Sequence, residues 1–155
     1  MEKINLSRVI IGGLIAGLVM NVSEFLLNAV VLAKQVEAAM QALNRPPADG
    51  AAIGKLVVLT FAVGIAAVWF YAAIRPRFGA GPKTAVIAGL GVWAMVYLYS
   101  AVVGSVLGLF PANLYLIGAV WELFATVIAT VAGAAVYKEG ESHETVRSLK
   151  EEMGS

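Results

Sequence analysis

Four long runs of apolar residues decide what this chain can fold into. They cover about residues 9–33, 54–74, 84–108 and 113–137. A helix that crosses a bilayer needs about 20 mostly apolar residues, because the hydrocarbon core is roughly 30 Å thick and each residue adds about 1.5 Å. Open strands would leave backbone groups unpaired in lipid, so each run predicts a membrane-spanning helix.

The composition points to the same class of protein. Of the 155 residues, 60% are apolar and 14% are charged, whereas a soluble domain has about 45–50% apolar and about 25% charged residues. A chain of 16.2 kDa has too little interior to hide so much apolar surface. We therefore expect an all-α, integral membrane four-helix bundle over residues 1–138 and a polar tail over residues 139–155, and not a soluble enzyme or a nucleic-acid binder.

The basic residues predict an orientation. With four spans, both termini and the connection between the second and third spans share one side of the membrane. That side carries eight of the eleven Lys and Arg residues, and the other side carries three. Because Lys and Arg accumulate in cytoplasmic loops, we expect both termini in the cytoplasm and the protein in a bacterial-type inner (plasma) membrane.

The connections and the tail carry weaker signals. In the external segment 34–53, Val36, Met40 and Leu43 recur at helical spacing and predict a short helix at the membrane interface. Pro76, like the other prolines near the spans, is expected just outside a helix. In the tail, residues 146, 149 and 153 predict an amphipathic helix, and His143 is interpreted as a solvated residue.

Small residues at four-residue spacing predict where the helices touch. Lipid tails are as apolar as Leu, so helices in a membrane associate through close backbone approach and interhelical hydrogen bonds. Packing within one bundle and a homodimer contact both fit these stripes. The predicted packing residues are Gly13, Gly17, Ser100, Gly104, Gly108, Ala125, Ala129 and Gly133, with Ala62 and Ala66 on the second span.

Glu24 and Glu122 are the two charged residues well inside the spans, and no Lys or Arg lies at their depth to pair with them. Counting from the midpoint of each span places both carboxyl groups about 4–5 Å on the external side of the centre. Other polar residues share their helix faces or their depth. The predicted intramembrane polar cluster is Glu24, Glu122, Asn21, Asn28, Tyr99, Ser100, Thr126 and Thr60.

Three interpretations of the two carboxyl groups remain open. Protonated carboxyl groups can act as interhelical hydrogen-bonding groups. A charged carboxylate near mid-bilayer costs about 2.5–3.5 kcal/mol, so an intramembrane Glu also suggests a site for a proton or a monovalent cation. The third interpretation is a docking surface for another membrane subunit.

Cofactor and metal chemistry find little support in the sequence. There is no Cys, and the single His lies outside every span, so we expect no cofactor, no metal site and no catalytic residues. Two Glu without His fall short of the ligand set of a bundle di-metal site. A pocket for a lipid or quinone among Trp93, Tyr97, Tyr99 and Trp121 is a further, weaker hypothesis.

Asn21-Val22-Ser23-Glu24 in the first span and Trp121-Glu122 in the fourth carry a resemblance. The chain resembles uncharacterised small four-helix bacterial inner-membrane proteins, which share its hydropathy layout and a polar group in the first span. The resemblance implies the fold and brings no activity or functional residue with it.

Two functions follow from these observations. The first is a small transporter or channel in which Glu24 and Glu122 respond to a proton or cation. The alternative is a non-catalytic accessory or assembly subunit of a larger membrane complex. Both place the protein in the lipid bilayer, either as a homo-oligomer or in a larger complex, and neither requires enzymatic activity.

Overall fold

The computed structural model describes residues 4–137, which form five helices and confirm the all-α class. They are α1 (Leu6–Val31), α2 (Ala33–Ala42), α3 (Gly50–Phe78), α4 (Pro82–Leu107) and α5 (Ala112–Ala135). Helices α1, α3, α4 and α5 are long and apolar enough to cross a membrane, which indicates a multi-pass membrane protein. The short helix expected in the first connection is α2. The expected tail helix and His143 lie outside the described residues.

Helix starts follow the capping chemistry of the sequence. The side chain of Asn5 accepts a hydrogen bond from the Arg8 backbone N–H at 3.2 Å, and the Asp49 side chain accepts one from Ala52 at 2.7 Å. Each cap satisfies a backbone donor that has no partner within its own helix. Pro82 opens α4, where its missing N–H costs no hydrogen bond.

The prediction that Pro76 lies outside a helix is wrong. Helix α3 continues through Pro76 to Phe78. A proline this near a helix end removes a single backbone hydrogen bond, and the helix still closes because the Gly79 N–H donates to the Arg75 carbonyl at 2.8 Å. The helix stops at Gly79, whose φ of +85° favours glycine.

Both termini of the described chain lie at one end of the bundle, which we call the terminal end. The Asn5 N–H donates to the Tyr137 hydroxyl at 3.3 Å. The rings of Tyr71 and Tyr137 meet edge to face with their centroids 6.0 Å apart, and the Arg75 guanidinium lies 5.6 Å from the Tyr137 ring centroid. The α3–α4 turn is at the same end, because the Gly81 N–H donates to the Tyr71 hydroxyl. We call the opposite end, where α2 lies, the loop end.

The core of the bundle lies mainly towards the terminal end, and small residues, above all Ala, alternate there with larger ones such as Val68, Met20 and Tyr71. A Cβ atom on Gly12 would lie 2.5 Å from the Gly133 carbonyl oxygen, so α1 and α5 touch through their backbones. A Cβ on Gly13 would lie 2.6 Å from the Cγ1 atom of Ile65, and Gly17 meets the Phe61 ring in the same way. Small residues thus replace large ones where the helices come close, as expected for helix packing in lipid.

Several predicted packing residues have other surroundings. Gly104 contacts the Tyr115 ring, whereas a Cβ on Gly108 would meet no atom within 4 Å. Gly108 instead has a φ of +64° and ends α4. On α3 the buried face carries Gly64, Ala67, Val68, Tyr71 and Ala72, while Ala62 and Ala66 are exposed. Small residues lie all around α3, so their spacing alone does not tell which face is buried.

The outer surface of the four long helices is apolar. Val58 is 67% exposed, Phe124 is 63% exposed and Ile128 is 60% exposed. A contiguous apolar exterior on this scale is unusual for a water-soluble monomer and fits contact with lipid. The packed interior and the apolar exterior therefore both fit the class that the composition predicts, an all-α membrane protein.

Candidate functional site

Two of the long helices change their hydrogen-bonding pattern partway along. Helix α1 becomes π-helical over Leu26–Val31 and α4 does so over Ala94–Leu98. Polar side chains bond to the backbone beside both changes: Asn28 Nδ2 donates to the Glu24 carbonyl at 3.0 Å, and the Ser100 hydroxyl donates to the Val96 carbonyl. Short π-helical segments are rare and frequently occur at functional sites.

Two tryptophan indoles fix the register of the helices around these segments. Trp121 Nε1 donates to the Ser23 hydroxyl at 2.8 Å and so ties α5 to α1. The bonded residues immediately precede Glu122 and Glu24, so the bond sets these two residues at about the same level along the bundle. Trp93 Nε1 donates to the Ala119 carbonyl at 2.8 Å and ties α4 to α5.

A cleft of about 500 Å³ opens between α1, α4 and α5 on the loop-end side of these bonds, and α2 borders it. Both π-helical segments contribute to its walls. Its lining residues are Glu24, Leu27, Asn28, Leu32, Val36, Val96, Tyr97, Ser100, Ala101, Phe110, Leu114, Tyr115, Gly118, Ala119 and Glu122. A second cavity of about 590 Å³ between α2 and the α4–α5 turn has no charged residue in its lining. The cleft that holds both carboxyl groups is therefore the candidate site.

The two carboxyl groups differ in how they are satisfied. Glu122 is 4% exposed, and neither of its carboxyl oxygens has a hydrogen-bond partner. Glu24 is half-buried, and its Oε2 accepts a hydrogen bond from Asn28 Nδ2 at 3.0 Å. The described lining contains no Lys, Arg or His. A buried carboxyl group without a partner is costly, so Glu122 requires a proton, a cation or a donor that the described chain does not supply.

Four of the predicted cluster residues line this cleft: Glu24, Asn28, Ser100 and Glu122. Thr126 lies one helical turn from Glu122 on α5. It is fully buried, and its hydroxyl has no hydrogen-bond partner. Below it, the Thr130 hydroxyl donates to the Thr126 carbonyl at 2.7 Å.

The other three predicted residues lie elsewhere. The side-chain amide of Asn21 donates to the carbonyls of Gly17 at 2.8 Å and Val57 at 3.4 Å, so it joins α1 to α3. Thr60 is partly exposed on α3 and does not line the cleft, and Tyr99 is 67% exposed on α4.

Tyr97 takes the place expected for Tyr99 in the cleft. Its position follows from Trp93, which lies one helical turn earlier and faces α5 through its hydrogen bond. The four-residue spacing of Trp93 and Tyr97 was the sequence signal that could have identified Tyr97. Of the four aromatic residues considered for a lipid or quinone pocket, Tyr97 alone lines the cleft, because the indoles of Trp93 and Trp121 are engaged between helices.

The cleft offers acid–base or cation-binding chemistry in apolar surroundings. Within residues 4–137, no group of three or more His, Cys, Asp or Glu side chains comes together as a metal site. Comparison with known proteins adds no precedent, since no protein-family model, curated protein or solved structure matches the chain.

Proposed function

We propose that the protein is a small membrane transporter or channel in which Glu24 and Glu122 take up and release a proton or a monovalent cation. The observation that carries this proposal is the Glu122 carboxyl group, buried without a partner at a cleft that it shares with Glu24. In a poorly solvated site a carboxyl group is stable when protonated or when paired with a cation. Moving between these two states amounts to exchanging a proton or cation with the surroundings.

A row of polar groups on α5 supports a route away from the cleft. Glu122, Thr126 and Thr130 follow one another at four-residue spacing, and all three are buried. The row runs from the cleft into the tightly packed half of the bundle at the terminal end. The Thr126 hydroxyl has no hydrogen-bond partner and the Thr130 hydroxyl donates to the Thr126 carbonyl, so the row is a polar face along α5 and not a continuous hydrogen-bonded chain.

The proposed orientation places this route across the membrane. With both termini in the cytoplasm of a bacterial-type inner membrane, as the distribution of Lys and Arg favours, the cleft faces the outer half of the bilayer. The row of polar groups on α5 then leads from the cleft towards the cytoplasmic side.

The test is ion flux in proteoliposomes. Purified protein is reconstituted into vesicles that contain a pH-sensitive dye, and a K⁺ gradient with valinomycin imposes a membrane potential. We expect wild-type vesicles to take up protons, or to carry Na⁺ or K⁺ in a tracer experiment without valinomycin, and Glu122→Gln to abolish the flux. Glu37→Gln is the matched control, because Glu37 is exposed on α2 and does not line the cleft. Equal flux in wild-type and Glu122→Gln vesicles would overturn the proposal.

A second candidate is an accessory subunit, and it is favoured because α4 is the least buried of the four long helices, above all in its far half. Val102 is 54% exposed and Val106 is 82% exposed, and Gly104 is the one buried residue between Tyr99 and Leu107. A helix of another chain, or of a second copy of this one, would cover this surface. The discriminating measurement is the mass and composition of the particle extracted from native membranes in mild detergent. A stable heteromer favours the subunit, whereas a monomer or homo-oligomer favours an autonomous protein.

A further inference from the structure

We propose that the cleft binds a hydrophobic organic monocation, with its charged group between Glu24 and Glu122 and its apolar body among the aromatic side chains. This inference rests on the proposed function and names the substrate class of the same site. It makes the organic cation the species that alternates with protons on the two carboxyl groups.

The sign of the ligand's charge follows from the carboxyl groups. Glu122 is 4% exposed, both of its oxygens lack a hydrogen-bond partner, and its side chain lines the cleft. Glu24 lines the same cleft and has one partner, the Asn28 amide. Two acidic groups without a basic residue in the described lining favour a cation and disfavour an anion.

The rest of the lining argues for an organic cation and against a calcium or magnesium ion. Calcium and magnesium require about six to eight oxygen ligands. Within residues 4–137, no three or more His, Cys, Asp or Glu side chains come together that could hold such an ion. The remaining walls are mostly apolar and include the rings of Tyr97, Phe110 and Tyr115. Aromatic rings stabilise organic cations by cation–π attraction, and apolar walls accept an apolar body.

The size of the cleft fits a ligand of this class. Its volume of about 500 Å³ lies within the range of about 300–1,000 Å³ that is typical of sites for drug-sized molecules. A proton or a bare metal ion requires no such space. Gly118 contributes to this volume, because a Cβ atom at that position would meet no atom within 4 Å.

The test measures equilibrium binding of radiolabelled tetraphenylphosphonium to the purified full-length protein in detergent. This probe carries a fixed positive charge and no ionisable proton, so its binding is distinct from proton uptake. We expect saturable binding that unlabelled tetraphenylphosphonium displaces. Labelled tetraphenylborate, an anion of the same shape measured in a separate sample, should show no saturable binding. Glu122→Gln should weaken binding about thirty-fold or more, the cost of removing one partner of a buried charged pair.

A second variant tests the cleft without altering a charge. Gly118→Leu places an apolar side chain in the cleft, and its Cβ atom meets no atom within 4 Å, so it should abolish saturable binding. Its thermal unfolding temperature should shift only as far as that of a Gly→Leu change in an open helical position. Gly54→Leu is its control, because Gly54 has equally open surroundings and lies outside the cleft, on α3. Glu37→Gln controls for the loss of one carboxylate and should bind as the wild type does.

The outcomes separate this inference from the proposed function. Saturable binding that is lost in Glu122→Gln and Gly118→Leu supports the organic-cation site. Proton or metal-cation flux without such binding overturns the inference and leaves the transport proposal standing. Binding without flux of the probe or of protons keeps the site and overturns transport. Equal binding in all variants would show that the probe partitions into the detergent, and it would overturn the inference.

Discussion

At Gly64 the backbone of α3 lies directly against the backbone of α1. A Cβ atom at this position would lie 2.6 Å from the Gly13 carbonyl oxygen and 2.7 Å from the Gly17 Cα atom. Non-bonded carbon atoms prefer separations of about 3.5–4.0 Å. Gly64→Ala therefore increases the distance between the two helices by about 1 Å. Both obstacles are backbone atoms, and no change of rotamer can relieve the overlap.

The loss of stability from overpacking can be separated from the gain in stability that Ala brings to a helix. Overpacking of a well-packed interior costs about 1–3 kcal/mol, while replacing a helical Gly by Ala contributes about 0.5–1 kcal/mol of stability. Gly54→Ala has the second effect alone, because Gly54 is on the same helix and its Cβ would meet no atom within 4 Å. We therefore expect Gly64→Ala to be less stable than Gly54→Ala by about 1–3 kcal/mol.

The assay is unfolding in mixed micelles with increasing SDS, followed by tryptophan fluorescence. Trp93 and Trp121 report on the folded state, because both indoles donate hydrogen bonds between helices. The difference in unfolding free energy between the two variants is the measured quantity. Equal stability of Gly64→Ala and Gly54→Ala would refute the close backbone approach on which the estimate depends.

Two further predictions concern register and orientation. In a double-mutant cycle of Trp121→Phe and Ser23→Ala, we expect a coupling of about 0.6 kcal/mol and at most about 1.7 kcal/mol, as for other interhelical hydrogen bonds in membranes; a coupling of zero would contradict the bond. The chain has no Cys, so single cysteines can be labelled without background. With an impermeant maleimide on intact cells, Ala48→Cys in the α2–α3 connection should react, and Ala80→Cys in the α3–α4 turn should react after permeabilisation only. The reverse pattern would invert the proposed orientation.

The four long helices could be predicted because their apolar length is a property of the sequence alone. The residues at which these helices end were harder to predict from the sequence. Pro76 is compatible with the last turn of α3, since the Gly79 N–H can still bond to the Arg75 carbonyl. The packed face of α3 was missed for a related reason, because Ala62 and Gly64 are both small and tertiary contacts decide which of them is buried.

The two carboxyl groups of the site could be predicted from the sequence, whereas the other residues that line the cleft were harder to predict. Glu24 and Glu122 stand out because a carboxyl group inside an apolar run is rare, and counting residues along each span placed them at one depth. Tyr99 is the tyrosine predicted for the polar cluster, yet Tyr97 lines the cleft and Tyr99 is exposed, because residues two apart point to nearly opposite faces of a helix. The π-helical segment of α4 carries no composition signal, because Ala94–Leu98 is apolar like its neighbours.

The placement of the π-helical segment in α4 has a mechanical consequence. Up to Trp93 this helix is held to α5 by the indole hydrogen bond, and the π-helical turn follows at once. Beyond that turn its side chains are largely exposed, whereas α1 and α5 are held together beside the carboxyl groups by the Ser23–Trp121 bond. A bend of α4 after Trp93 therefore changes the width of the cleft without changing the spacing of Glu24 and Glu122. Molecules that differ in the size of their apolar body would then meet the same pair of carboxyl groups at the same separation.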